Sequence, residues 1–303
     1  MIRSNQNKDQ LSLRARWIYD TLRILRIQKR IFQKLINDPQ RGSEAIAPKN
    51  FDRRLIKEER HIDGFQLLTI QDHEASDKHI LFLHGGAYVA QAFSGHRYLM
   101  QKLAKDHLFK ISFLDYPLAP EHDALTTHEI LKKAYGSLKE AYKNDTFYFL
   151  GDSAGGGLAL SFIQKLRDEN KLPQISKTVL LSPWLDLSLS NPDILNYMEK
   201  DVILHLESLK SCGQLYAKKT DIKDPSVSPI YGSLNDLQKI KVFVSDAELM
   251  YPDCLLLHDK LESATGSSSD LVIVHQMIHD WVILPIRERD ETIEEIASFF
   301  VVE

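Results

Sequence analysis

Five consecutive residues, Gly151-Asp152-Ser153-Ala154-Gly155, have the form G-x-S-x-G, and Gly156 and Gly157 follow at once. At average glycine and serine usage a chain of this length shows the pattern by chance roughly one time in ten, so the pentapeptide alone says little. Its context says more. An apolar run at 146–150 precedes it and a helix-like stretch at 154–170 follows it. Strand, tight turn and helix are the setting in which a serine stands out as a nucleophile. The flanking glycines let the chain turn sharply, and the helix N-terminus favours developing negative charge. An ordinary glycine-rich turn has the same outline. A phosphate-binding turn does too, but the lysine of a P-loop is absent.

A second glycine-rich stretch, His84-Gly85-Gly86-Ala87, directly follows the apolar run 79–83. Without a Cβ, the N–H groups of Gly85 and Gly86 can face a crevice, and with that of Ala154 they form a candidate oxyanion hole. Six of the chain's 13 glycines lie in these two motifs, which weakens the reading of either as a simple turn.

A serine nucleophile needs a base, and the base an orienting acid; around such a turn the chain order is Ser, acid, His. Of twelve histidines, His258, His275 and His279 lie beyond both Ser153 and the segment 186–222. His279 follows the apolar run 271–274 in a loop and is preferred. His275 sits at the strand end and His258 inside a helix-like stretch. A metal pair from His275 and His279 lacks an evident third ligand. The acid should follow the run 241–244, where position alone leaves Asp246, Glu248 and Asp253 open.

These residues need a frame. Short apolar runs at 79–83, 110–114, 146–150, 178–181, 241–244 and 271–274 suit strands buried on both faces. A hairpin is expected over 54–59 and 65–71, turning at Asp63-Gly64. Helix-like stretches at 96–106, 126–143, 154–170, 252–264 and 288–299 alternate with the runs, so the fold class is α/β, a doubly wound parallel sheet. The stretch 186–222 has no strand signal, although 201–218 looks helical. It is expected to be a lid over the crevice at the strand ends. With Trp184 and Leu185 just before it, this insertion supplies Leu187, Leu189, Ile194, Tyr197 and Met198 for an apolar acyl pocket; Trp184, Leu185 and Tyr197 are the candidate substrate-binding residues.

The motifs resemble those of the hormone-sensitive-lipase-like branch of the α/β-hydrolase esterases. The matching stretches are His84-Gly85-Gly86-Ala87, Asp115-Tyr116-Pro117-Leu118-Ala119-Pro120-Glu121-His122, Gly151-Asp152-Ser153-Ala154-Gly155-Gly156, Ser182-Pro183-Trp184 and Asp224-Pro225-Ser226-Val227-Ser228-Pro229, in the family's order over roughly residues 60–300. The resemblance implies an α/β-hydrolase fold with a helical cap, Ser153 as nucleophile, His279 as base, and oxyanion donors at Gly85, Gly86 and Ala154. It places Glu248, in Glu248-Leu249-Met250-Tyr251-Pro252-Asp253, where the family usually carries an Asp. Glu121, His122 and Asp152 take supporting roles. The implied domains are a helical segment at 1–50 contributing to the cap, a core of 51–185 and 223–303, and a cap at 186–222. The implied activity is that of a serine carboxylesterase on short- to medium-chain acyl esters, without metal or organic cofactor. Activity should fall as pH drops through the pKa of His279. The same machinery serves amidases, formamidases and sugar deacetylases, and the fold can also survive as a non-catalytic small-molecule receptor.

Composition bounds the rest. The 303 residues are 43% hydrophobic and 26% charged, with a net charge of −4, which argues against a general nucleic-acid binder. Cys212 and Cys254 are too few for a disulfide framework and read as free thiols. No apolar run reaches the ~18 residues of a spanning helix, and the N-terminus lacks signal-peptide features. A cytoplasmic protein without stable membrane insertion is expected; a homodimer is compatible with the fold but marked by no residue pattern. Charge is segregated: residues 1–60 hold 15 Lys/Arg against 7 Asp/Glu, a net of +8, and the remaining 243 hold 23 against 35, a net of −12. The basic excess lies mainly on 11–36, where Leu13, Trp17, Leu22, Leu25, Phe32 and Ile36 recur at helical spacing. A membrane-surface helix has this pattern. So does a helix that packs its apolar face on the body, and the latter is expected.

Overall fold

A computed structural model describes residues 2–5, 11–39, 41–172 and 177–302. The stretch read for a signal peptide lies in part outside the described residues. The apolar runs become strands: β1 (Ile2–Asn5), β2 (Ile56–Ile62), β3 (Phe65–Gln71), β4 (Lys78–Leu83), β5 (Lys110–Leu114), β6 (Thr146–Asp152), β7 (Lys177–Leu181), β8 (Gln238–Ser245) and β9 (Ser267–Val274). They form one sheet in the order β1-β9-β8-β7-β6-β4-β5-β3-β2. β2 pairs antiparallel with β3, and β3 antiparallel with β5; the other pairs are parallel. The strand β1, which pairs with β9, is not foreshadowed by the sequence pattern.

Successive strand residues point to opposite faces, and the core divides accordingly. Leu81, Phe149, Leu180 and Val242 join one cluster, and Ile80, Leu150, Val179 and Phe243 the other. Helices α4 (Ala124–Ala141), α5 (Ser153–Asp168) and α7 (Tyr251–Glu262) cover the first through Leu131, Phe162 and Leu257. Helices α3 (Ser94–Asp106) and α8 (Arg287–Val301) cover the second through Leu99 and Ile296. Burial on both faces accounts for the uninterrupted apolar runs.

The segment 186–222 contains no strand. Its helix α6 (Leu206–Ala217) is shorter than the 201–218 expected from the pattern. The Asp201 carboxylate accepts the amide hydrogens of Ile203 and Leu204 at 2.9 and 2.8 Å, holding the chain in a turn before the helix begins.

The basic N-terminal stretch is two helices, not one. They are α1 (Leu13–Leu25) and α2 (Gln28–Asn37), broken where Arg26 takes a left-handed conformation at φ 46°. The expected packing of the apolar face is corrected in part. Phe32 is buried, with Leu35 and Ile36 packed around it, but Leu13, Trp17 and Leu25 are exposed. The face of α1 that meets the body carries Ala15 and Ile18 instead. The Ser12 hydroxyl ties the start of α1 to α8 by donating to Glu288 Oε2 at 2.9 Å. Among the described residues no helix is long and apolar enough to cross a membrane.

The loop after β4 is clasped from two sides. Arg41 donates to the carbonyls of Val89 and Ala119 at 2.7 and 2.6 Å and pairs with Glu121 at 2.6 Å. Tyr88 stacks on Tyr216 of α6, with centroids 3.7 Å apart and planes 5° apart. Both rings are buried, so a Tyr216→Ala variant is expected to lose about 3–5 kcal/mol of stability. Tyr216→Phe, which keeps the ring, should stay within about 1.5 kcal/mol of the parent. Urea unfolding midpoints of the two variants check this.

Candidate active site

The chain leaves β6 and enters α5 within one residue, Ser153, whose φ is 49°. That strained turn projects the side chain from the C-terminal edge of the sheet, where ligands of open α/β sheets bind. It is possible because Gly155 has no side chain: a Cβ there would lie 2.1 Å from the Leu83 carbonyl oxygen of β4. Ala154, second in the helix, carries one of the N–H groups with no partner inside the helix. Gly85 presses against the turn. A Cβ on it would stand 3.0 Å from the Ser153 Cβ and 2.4 Å from Asp152 Oδ2, and Gly86 beside it has a φ of 121°. Of the three candidate oxyanion residues, Ala154 follows the serine and Gly85 lies against it, with Gly86 next along the chain.

Below this edge Asp152 Oδ2 meets His96 Nε2 at 3.1 Å. The Tyr116 hydroxyl donates to the His84 carbonyl at 2.6 Å. Burial, and after it the neighbouring His96, pushes His84 down to about 4, so its ring stays neutral between the glycines and the core. Glu121 is held by Arg41, and His122 meets Phe65 edge-on at 5.3 Å between centroids.

His279 comes from the loop after β9. Its Nε2 lies 3.0 Å from Ser153 Oγ, and its Nδ1 meets Glu248 Oε2 in a short contact. Glu248 stands three residues beyond β8 and is fully buried. Its other oxygen, Oε1, accepts the Ser182 hydroxyl at 2.8 Å and the Ser245 amide at 2.7 Å. The rival acids face elsewhere. Asp246 holds His275 Nδ1 at 2.6 Å, and Asp253 accepts from Asn191 at 2.8 Å. His258 lies in α7. Among the described residues no group of three or more His, Cys, Asp or Glu side chains assembles that could hold a metal. Cys212 and Cys254 are free and buried.

A second carboxylate reaches the same imidazole. Asp280, at φ 54°, places Oδ2 3.1 Å from His279 Nε2. With the proton on Nδ1, the Nε2 lone pair accepts the Ser153 hydroxyl, and a charged Asp280 oxygen would face that lone pair. A proton on Asp280, or a second one on the imidazole, relieves the repulsion. Burial accordingly pushes the Asp280 carboxyl up to about 7, against the pull of His279. Burial lowers the pKa of His279, but Asp280 and Glu248 more than offset this and carry it well above the ordinary histidine value. Two such groups share protons and titrate as a pair.

The motif pattern did not mark Asp280, Ser245 or Asp201 for these positions, and it carried Ser182, in Ser182-Pro183-Trp184, without a role. Asp201 Oδ2 accepts the amide of Leu249, next to Glu248, at 2.9 Å, and burial lifts its carboxyl to about 6. Adjacency to His279 points to Asp280, a place at the end of β8 to Ser245, and a place after β7 within the matching stretch Ser182-Pro183-Trp184 to Ser182.

Of the candidate substrate-binding residues, Trp184 and Leu185 are fully buried. The Trp184 amide donates to the Ser153 carbonyl at 2.9 Å, and its indole N–H to the Asp186 carbonyl at 2.9 Å. Tyr197 is half-buried against Tyr251 and lines a surface cleft with Asp186, Asp253 and Tyr231 that includes none of Ser153, Glu248 and His279.

This arrangement has counterparts among known proteins. A family profile for the α/β hydrolase fold matches residues 80–283. An esterase from Acinetobacter venetianus is 32% identical over 239 residues, covering 75% of this chain and 76% of its own. An acetyl-hydrolase from Streptomyces hygroscopicus is 29% identical over 203 residues, covering 67% of each chain. The crystal structure of a hormone-sensitive lipase from a metagenome library superposes with a TM-score of 0.77 at 28% identity, over 93% of this chain and 97% of that one. The profile, the relatives and the shared architecture agree with the motifs: the chain belongs to the α/β-hydrolase fold family, in its hormone-sensitive-lipase-like branch of esterases.

Proposed function

We propose that the protein is a serine carboxylesterase that hydrolyses short- to medium-chain acyl esters in the cytoplasm through an acyl-enzyme, with Ser153, His279 and Glu248 as its triad. The observation that carries this reading is the unbroken hydrogen-bonded path from Ser153 Oγ through both ring nitrogens of His279 to Glu248. Ser153 Oγ attacks the ester carbonyl while Nε2 takes its proton. The tetrahedral oxyanion is met by the N–H groups of Gly85, Gly86 and Ala154. Collapse of that intermediate expels the alcohol, protonated by His279, and leaves the acyl group on Ser153. Water, deprotonated by the same imidazole, then attacks the acyl carbon, and a second collapse frees the acid and restores the Ser153 hydroxyl.

Glu248 holds the Nδ1 proton and balances the imidazolium formed in both steps. Its extra methylene relative to Asp is accommodated because Ser182 and Ser245 fix its second oxygen. The segment 186–222 acts as the cap, joined by the helical segment within 1–50. The acetyl-hydrolase relative supports a short acyl preference.

Hydrolysis of p-nitrophenyl esters from acetyl to dodecanoyl should peak at the short or middle chain lengths; a maximum at dodecanoyl would overturn the substrate reading. Ser153→Ala should lower kcat by about 10⁴-fold or more. Glu248→Gln should cost on the order of 10³–10⁴-fold, and Asp246→Asn only a few-fold. Equal losses at Glu248 and Asp246 would remove the assignment of the acid. Total inertness toward all esters, with Ser153 still labelled by a fluorophosphonate, would favour an amidase.

The base must be neutral to act, so activity is lost as pH falls through the His279 pKa. Asp280 and Glu248 hold that pKa up, which sets the acid limb of kcat/KM above pH 6.5. Asp280→Asn removes one of those charges and should move the limb down. An unchanged pH profile in that variant would show that Asp280 does not act on the base.

A further inference from the structure

We propose that α1 docks the protein on an anionic lipid surface. The carrying observation is an apolar stripe on the side of α1 turned away from the body. Leu13, Trp17 and Ile24 are 84%, 68% and 81% exposed. At 100° per residue they fall within about 40° of one another, and Ala15 and Leu22, on the packed side, lie roughly opposite. The helix is thus anchored by one face, and its free face is apolar except for the exposed Asp20, which falls about 20° beyond Leu13 and lies between Trp17 and Ile24 along the axis.

Two further properties select the occupant. The first is charge. Across α1, α2 and the corner between them stand Arg14, Arg16, Arg23, Arg26, Lys29, Arg30 and Lys34, all exposed, against the single acid Asp20. Among the described residues only Arg26 of the seven meets an acid, Glu199 at 3.4 Å, and both of those side chains are exposed. On α1, Arg14 flanks the stripe on one side and Arg16 and Arg23 on the other. From there their stems can lie along the apolar surface while the guanidinium groups reach outward. A tryptophan and aliphatic side chains bordered by arginines are the composition of a helix lying in a membrane interface.

The second property is size. The stripe presents on the order of 500 Å², taking ~250 Å² for a whole tryptophan and somewhat less for each aliphatic residue. A patch of about this size is the usual largest apolar patch of a monomer and is often functional, but it falls short of the ~800 Å² per partner of a stable protein interface. A fluid surface needs no shape-complementary partner, and an anionic one matches the charge.

The proposal concerns binding and stands independently of the hydrolytic reading. The test is co-sedimentation of the full chain with equimolar phosphatidylglycerol–phosphatidylcholine vesicles and with pure phosphatidylcholine vesicles. Binding to the anionic vesicles should be about tenfold tighter or more, and should weaken with added salt. Trp184 and Trp281 are buried, so a vesicle-induced blue shift in fluorescence reports Trp17. The triple variant Leu13→Ser/Trp17→Ser/Ile24→Ser should lose binding about tenfold or more while melting at the parent temperature. Arg14→Gln/Arg16→Gln/Arg23→Gln should lose the preference for anionic vesicles. Equal binding to both vesicle types, or binding to neither, overturns the proposal. So does a concentration-dependent dimer that disappears in the triple serine variant, which would assign the stripe to a second copy of the chain.

Discussion

A carboxylate cannot be held fully out of water without partners for its oxygens. Glu248 meets that condition with groups from three neighbouring strands. Ser182 follows β7, Ser245 ends β8, and His279 lies in the loop after β9. The Ser245 hydroxyl in turn donates to the Met277 carbonyl at 2.6 Å, which steadies the His279 loop from below. The position of the imidazole is therefore set by the parallel pairing of these strands. Ser153 is set by the same sheet, because Gly155 lets α5 approach β4 and Gly85 lies against Ser153. Removing any of these supports leaves a buried charge or a backbone group unpaired, so the site and the sheet edge stand or fall together.

The segment 186–222 is fastened to that edge through polar atoms as well as apolar packing. Trp184, at its entry, bonds the backbone of Ser153, and Asp201, inside it, bonds the backbone next to Glu248. Both contacts touch a residue adjacent to, or part of, the proposed triad. A deformation of this segment is then felt at Ser153 and at Glu248, whereas one confined to the β2–β3 hairpin, at the far end of the sheet, is not.

Much of this was legible in the sequence, and for a physical reason. Strands buried on both faces are written as uninterrupted apolar runs, and the turn at Ser153 demands glycines at fixed offsets. The order of Ser153, Glu248 and His279 follows from strand order. Local pattern does not carry long-range partners. Glu248 was one of three acids by position, and the geometry separates it from Asp246 because Glu248 meets His279 while Asp246 turns to His275. Asp280 looked like a neighbour of the base, yet its left-handed backbone brings the carboxylate round to Nε2. The four-residue β1 offers too short a pattern to recognise. The N-terminal periodicity identified helix correctly but not which face meets the body, because helical spacing is blind to what lies on either side.

That last failure follows from how the N-terminal helices are held. Beside the apolar contacts of Ala15, Ile18 and Phe32, the side of the pair facing the body makes polar contacts. The Tyr19 hydroxyl donates to the Lys200 carbonyl at 2.8 Å, the Gln28 amide donates to the Asp201 carbonyl at 3.2 Å, and Arg26 pairs with Glu199. A helix that spends its hydrogen-bonding side chains inward on the backbone at 200–201 has its remaining large apolar groups outward. Leu13, Trp17 and Ile24 gain little burial from the fold. An ordinary amphipathic surface helix is oriented the other way, with its apolar stripe inward. The inversion makes sense when the free face has a medium of its own to enter. The segregated charge points the same way, since the acidic body is repelled by the surface that attracts the basic helices. α1 would meet that surface first, with the bulk of the acidic domain held behind it.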